Sequence, residues 1–432
     1  MNRCGKLVIA SVLAAALSAA ALLWISVQGR GQKARLSPYP DGRDFAFSIT
    51  DDPDHHKLAK IRLVYDLLVE LGMRTTVAVW VKEAERSNGV PDVAGDFDYG
   101  ATLQDADYRD YILRLHDLGF EIAVHTITGG NDLRDTTVSG YEEFRELFGY
   151  YPRINIMHSK NLEDIYWGSK VFSNAVLRWF IHDVVGSVFA KAAFPFSGEV
   201  EDSPFFWGDI AREKTKYVRL WGTSDINTLA FNPTMPYHDP RKPYVNYWFS
   251  FSDGYNSYFF KKLLTDENME RLVRERGTSI VYTHFAAGFA KRDGKGDYYL
   301  DPDFVRQMRK LASYEQGWFV PVSVILDRLL AMKNVNIFEV GDALVVNNSN
   351  TFAVDGVTLL VEPGALYYDM RGRPYRADGD GEIVVGDLGP GRSVTLRRDE
   401  RPDFLVRREP GWFERLNMVV QRSLIWIFSH NK

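Results

Sequence analysis

Two adjacent carboxylates close an apolar run in "FAFSITDDPDHH", residues 45–56. Three of the nine histidines stand at the ends of other apolar runs: His125 in "FEIAVHT", His158 in "RINIMHSKN" and His284 in "TSIVYTHF". Two histidines and one carboxylate, with one coordination position left open, are the donor set of a catalytic zinc-type centre. Such a cation lowers the pKa of a water to about 7 and polarises a carbonyl. A second carboxylate beside the ligand can take the water's proton as general base. Asp51 and Asp52 can therefore divide cation binding and proton transfer between them, and a neighbouring cation keeps both ionised against their mutual repulsion. A turn with an N-cap for the next helix uses the same residue types for backbone geometry alone, and Asp54 reads as such a cap.

These residues share a site only if their strands end on the same side. Strand-like runs "FAFSIT", "RTTVAVWV", "FEIAVHT", "RINIMH", "KYVRLW", "VNYWFSF", "TSIVYTHF" and "WFVPV" alternate with amphipathic helices. Leu58, Ile61, Val64, Leu68 and Leu71 form one apolar stripe, and "SGYEEFRELFG" carries a Ser139/Glu142 capping box and a terminal Gly149. Repeated strand–helix units predict an α/β fold, either a barrel or a doubly wound sheet, and in both the ligand sits at the carboxyl ends of the strands. Over 335–399 the texture changes to short strands separated by Gly, Pro, Asp and Asn, which predicts a small all-β module. His55 and His56 read as surface or supporting residues, His116 and His182 as structural, and His238 as a loop residue able to touch substrate.

The ends of the chain bear on location. Leu7–Val27 is an uncharged run long enough to span a bilayer as a helix, so residues 1–30 read as a signal anchor. Residues 31–43 read as a linker. The remainder is then expected outside the cytoplasm, periplasmic or extracellular, with a cleaved signal as the rival reading. The tail 400–432 sets Trp412, Leu416, Val419 and Ile427 roughly on one helical face, which suits a membrane interface or docking on the body. A single cysteine, Cys4, excludes an intrachain disulfide and a cysteine-rich zinc site. The net charge of −5 provides no basic footprint for nucleic acid.

The ordered set of motifs resembles the polysaccharide-deacetylase family, the NodB-homology carbohydrate esterases. "SITDDPD" is similar to the family's opening Asp-Asp strand end, "VHTITGG" to its second motif, "VYTHFAAG" to the strand with its general-acid histidine, and "GWFVPVSVILDRLL" to its closing strand and helix. The resemblance implies a distorted (β/α) barrel of about seven strands over 44–334. It implies Asp51 as general base, Asp52 and His125 as metal ligands and His284 as general acid. Gly129 or Gly130 stands where the family's second metal histidine would be, so His158 from the next strand is expected to replace it. The family's motif-three arginine has no counterpart; Arg153 precedes its strand. Asn161 is expected to add a hydrogen bond or a ligand at the substrate, and Trp167 and Trp207, from an inserted segment, to offer a sugar platform.

The implied activity is metal-dependent removal of acetyl groups, N-acetyl first, from an envelope or secreted polysaccharide. Zinc is the first expectation for the cation, with Co, Ni or Fe as alternatives. Two rival readings remain. One is a non-catalytic carbohydrate-binding or scaffold relative. The other is a glycoside hydrolase, which needs a distant carboxylate such as Glu199, Asp225 or Asp253 opposite the Asp pair.

Overall fold

Residues 45–52 alternate large and small side chains, Phe-Ala-Phe-Ser-Ile-Thr-Asp-Asp. A strand sends successive side chains to opposite faces, so this segment has a bulky face and a slim one. In the computed structural model, which describes residues 34–84, 99–158, 161–186 and 194–399, the alternation becomes the first strand of a closed parallel barrel. The strands are β1 (Phe45–Asp51), β2 (Thr76–Val79), β3 (Glu121–Val124), β4 (Ile154–Asn155), β5 (Tyr217–Thr223), β6 (Tyr247–Asp253) and β7 (Thr278–Thr283), paired in that order, with β7 closing on β1. An eighth short strand, β8 (Gly317–Trp318), pairs with the start of β1, while β2 pairs with its end, so β8 fills the seam below β2. The barrel alternative of the two architectures is therefore the one adopted.

Phe45, Phe47 and Ile49 face outward and pack with Val77, Val79, Ile122 and Val124 against the surrounding helices. The first of these helices, α1 (Leu58–Glu70), buries Ile61, Val64, Tyr65, Leu67 and Leu68 on that layer; each such side chain contributes roughly 1.5–3 kcal/mol on burial. Ala46, Ala78, Ala123, Ile154, Tyr217, Phe249 and Ile280 point inward instead. The helix α2 (Val322–Met332) plugs the floor of the barrel by adding Val322, Ile325, Leu326 and Leu329 to that interior cluster. The helix Arg134–Phe148 departs from the expected cap: Leu133 precedes it, and Ser139 lies inside it, bonded back to Asp135 O. Its end is as expected, with Gly149 at φ +81° in the left-handed conformation.

The all-β module consists of a five-stranded antiparallel sheet and a smaller three-stranded one. The latter includes Arg35–Leu36, which pairs with Leu359 and Leu360. Two residues of the expected linker thus form a strand of the module. Its continuation buries Tyr39, whose hydroxyl bonds Thr278 Oγ1 in the barrel. Arg328 of α2, buried, donates to the carbonyls of Pro38 and Tyr39 and of Asp355 and Gly356, joining barrel and module. Among the described residues no helix is long and apolar enough to cross a membrane. The anchor expected over 1–30 and the tail 400–432 lie outside the described residues.

Candidate metal centre

The inward parity of each strand, followed to its carboxyl end, places a functional side chain in the barrel mouth. Beyond Ala46 and Thr50 on β1 comes Asp52; beyond Ala123 on β3, His125; beyond Ile154 and Ile156, His158; beyond Ile280 on β7, Tyr282 and His284. Asp52, Asp54, His125, His158 and Tyr282 line one cavity of about 400 Å³ at this end.

Asp51 has the opposite parity and is not among the residues lining that cavity. Its Oδ1 accepts from the backbone N–H of Phe285, its Oδ2 accepts from the Tyr65 hydroxyl, and His56 Nε2 stands 3.0 Å from Oδ2. Fully buried in the helix layer, it ties α1 to the end of β7. The expectation that Asp51 activates water is corrected: strand alternation turns it away from the mouth.

Asp52 faces the mouth, but as half of an ion pair. Arg219, on β5, donates from Nη1 to Asp52 Oδ1 at 2.8 Å and from Nη2 to Oδ2 at 2.6 Å, and also reaches Thr50 Oγ1. The guanidinium lies between the rings of Phe251 and Tyr282. Bidentate geometry and flanking aromatic faces fix it firmly. Arg219 escaped the sequence reading, where a charge inside the apolar run "YVRLW" was its only signal.

The carboxylate grouped with the two histidines is Asp54, not Asp52. Donor atoms of Asp54, His125 and His158 all lie within 4.8 Å of one another. Asp54 does not cap a helix: α1 starts at Leu58 after Lys57, and His55 takes φ +58°, a left-handed turn that follows Asp54. Hydrogen bonds at Nδ1 set the imidazole tautomers. His125 Nδ1 is 3.0 Å from the carbonyl of Ile156, which only accepts, so Nδ1 carries the proton and Nε2 is the basic nitrogen. His284 Nδ1 likewise donates to Tyr255 O, and its Nε2 is 2.8 Å from Asp54 Oδ2.

His125 Nε2 and Asp54 Oδ1 are both buried without a hydrogen-bond partner, 3.5 Å apart. Two facing acceptors at that distance repel unless something positive lies between them. A tetrahedral ion with ligands at about 2.1 Å holds adjacent donor atoms about 3.4 Å apart. The residues present therefore fit a divalent cation. A proton is the other positive charge able to sit there: burial would raise the pKa of Asp54, but with His125 and His284 protonated their hydrogen bonds and charges outweigh it and hold the carboxyl far below the usual range. Burial would lower His284, yet its hydrogen bond to Asp54 and the charges of Asp52 and Asp54 raise it to about 9.

Of the expected substrate contacts, Trp167 lines the cavity. Asn161 is buried behind His158, bonded to its Nδ1. Trp207 is core, 2% exposed, with its indole N–H donated to Glu163 O, so it offers no platform. Trp221, which the sequence reading did not single out, lines the cavity instead. A break in the β5–β6 register between Arg219 and Gly222 and a left-handed φ of +65° accompany its indole at the cavity wall, 39% exposed, where its N–H donates to Tyr237. Of the distant carboxylates, Asp253 also lines the cavity, while Asp225 is paired with Arg271 and Glu199 with Lys170. His238 is bonded to Asn246 O in its loop.

No protein-family model and no curated protein matches the chain. Solved structures similar to it include Puue allantoinase, at 12% identity and TM-score 0.38 over 69% of this chain and 95% of that one. A protein described as a probable polysaccharide deacetylase from Pseudomonas aeruginosa PAO1 has 12% identity and TM-score 0.37 over 69% and 95%. The peptidoglycan deacetylase PdaC from Bacillus subtilis has 11% identity and TM-score 0.31 over 68% and 95%.

Proposed function

We propose that this chain is a metal-dependent hydrolase that removes acetyl groups, N-linked ones first, from an envelope or secreted polysaccharide. The observation that carries the reading is the pair of orphaned acceptors, His125 Nε2 and Asp54 Oδ1, facing each other in the barrel mouth with His158 beside them. Asp54, His125 and His158 would hold the cation, zinc before Co, Ni or Fe, and when bound it would supply an electrophile for an acyl carbonyl and acidify a water.

Asp52 then serves as general base in place of Asp51. It lies 3.8 Å from His125 Nε2, next to the ligand set, and Arg219 holds it in place through two hydrogen bonds. Each of its oxygens retains a second lone pair, so it can still accept a proton from the attacking water. His284 serves as general acid. Tyr255 O anchors its Nδ1–H, and the proton on Nε2 passes to the leaving amine. The aromatic walls, Trp167 and Trp221, suit the apolar face of a sugar ring. The uncharged run Leu7–Val27 supports a membrane anchor with the barrel outside the cytoplasm.

Metal content and acetate release from N-acetylated chito-oligomers and peptidoglycan fragments test the reading. The purified protein should hold close to one zinc or cobalt per chain and release acetate. A chelator should abolish release and added metal restore it. A protein that takes up no metal in excess zinc or cobalt sinks the hydrolase reading in favour of a carbohydrate-binding role.

A further inference from the structure

A second polar cluster lies behind His158, outside the lining of the cavity. Its centre is Asn161, 1% exposed. Asn161 Nδ2 is 2.6 Å from Gly130 O and 2.7 Å from Glu163 Oε1, and its Oδ1 is 3.0 Å from His158 Nδ1. The Gly130 carbonyl can only accept. Turning the amide over would set Oδ1 against two acceptors, so both Nδ2 hydrogens are committed and Oδ1 must face the histidine. His158 can then only donate from Nδ1.

We infer that Asn161 and Glu163 form a positioning relay for His158: Glu163 orients the Asn161 amide, and the amide fixes the His158 proton on Nδ1, leaving Nε2 as the nitrogen that meets the cation. This rests on the hydrolase reading above. The other two imidazoles of the mouth are fixed in the same way by backbone carbonyls, Ile156 O for His125 and Tyr255 O for His284. Only for His158 is the task given to a side chain, so only there does substitution reach it. The relay also binds the two ligand-bearing segments together, because Gly130 belongs to the loop after His125.

The surroundings explain why a buried carboxyl is tolerated. Trp207 Nε1 donates to the Glu163 carbonyl and holds its backbone. Asp132 accepts from Ile127 N, Thr128 N and Thr128 Oγ1, bonds that offset only part of the burial that pushes its carboxyl up to about 6. Burial, and then the Asp132 charge, push the Glu163 carboxyl well above the usual carboxylate range, and its Oε1 accepts from Asn161. Glutamine keeps an acceptor oxygen of the same reach.

The test reads the tautomer and the affinity separately from turnover. In metal-free protein, long-range ¹H–¹⁵N correlation should show His158 protonated on Nδ1; a wild type with the proton on Nε2 overturns the relay without any variant being made. Zinc affinity, measured by competition with a chelating indicator, should fall about 10–100-fold in Asn161→Leu and in Glu163→Leu. Glu163→Gln should stay within a few-fold of wild type and keep the Nδ1 tautomer. Unchanged zinc affinity in both Leu variants overturns the relay and leaves the hydrolase reading standing. No zinc uptake by the wild type overturns the hydrolase reading, and the relay with it.

Discussion

Both ends of the barrel gather charge, and they handle it differently. At the floor, Asp327 of α2 accepts from Arg153 Nη2, Lys216 Nζ and the Tyr217 hydroxyl, and nearby Glu121 Oε2 accepts from Thr76 Oγ1 and Ser323 N. Cations and donors meet the Asp327 carboxylate on both oxygens. At the mouth, Asp52 is matched by Arg219, but Asp54 Oδ1 and His125 Nε2 are left buried and unmet. An unmet buried acceptor costs about 1–3 kcal/mol. Glu121 Oε1 at the floor also lacks a partner, so the contrast lies in what faces each group: only at the mouth do a carboxylate oxygen and an imidazole nitrogen confront each other, 3.5 Å apart, in a way a cation would satisfy. In barrels of this architecture the floor serves stability and the mouth serves chemistry.

The comparison breaks most sharply at the open pair. Asp54→Ala and His125→Ala should each lose bound metal and, with several kcal/mol of transition-state stabilisation gone, on the order of 10³-fold or more in acetate release. The melting temperature of the metal-free protein should fall only modestly, because relief of the repulsion between the facing acceptors offsets the loss of the Asp54–His284 bond in one variant and of the His125–Ile156 bond in the other. A steep loss of metal-free stability in either variant would make these side chains structural, like those of the floor.

Next in size is Arg219→Met, at the one mouth pair built like the floor. It leaves Asp52 as a buried charge without its partner, which typically costs about 3–5 kcal/mol. Combining it with Asp52→Asn should recover most of that stability in denaturant melts and none of the activity. A double variant as unstable as Arg219→Met alone would show that the arginine acts through packing against Phe251 and Tyr282 instead.

Much of this was legible in the sequence. Strand ends found His125, His158 and His284, because a polar residue terminating an apolar run is a strong local signal. The barrel followed from alternating strands and helices. What failed was the choice between neighbours. In "FAFSITDD" the bulky residues Phe45, Phe47 and Ile49 share parity with Asp51, and the slim Ala46, Ser48 and Thr50 share it with Asp52. A barrel interior admits the slim face, so the alternation already marks Asp52 as the inward carboxylate. Asp54 continues the same parity, but its proximity to a helix made it read as a cap. Arg219 was marked only by being a charge within a strand. Asn161 was legible as a hydrogen-bonding residue but not as the partner of His158, and the roles of Glu163 and Trp207 were not readable, because these two come from an insertion whose course no periodicity fixes. Arg35–Leu36 read as linker for a similar reason: two residues carry no strand pattern, and only the distant partners Leu359 and Leu360 make them one.

The smallest effect is expected at the floor, and its pH dependence separates the two ends. Burial would raise the pKa of Asp327, but hydrogen bonds from Lys216, Tyr217 and Arg153 outweigh it and lower it. A carboxyl depressed in the folded state stabilises the fold above its unfolded pKa of about 3.9, and the contribution fades as pH falls through the folded value. The side chain is about one-third exposed, at 35%, so solvent screening keeps the total small. Asp327→Asn should cost about 0.5–1 kcal/mol at pH 7 by denaturant melts. That difference should close as the pH drops below about 4, with acetate release at pH 7 and zinc affinity unchanged. If Asp327→Asn instead weakened zinc binding or turnover, the two ends would be coupled through α2 and the interior it fills, and the division between a stabilising floor and a reactive mouth would not hold for this chain.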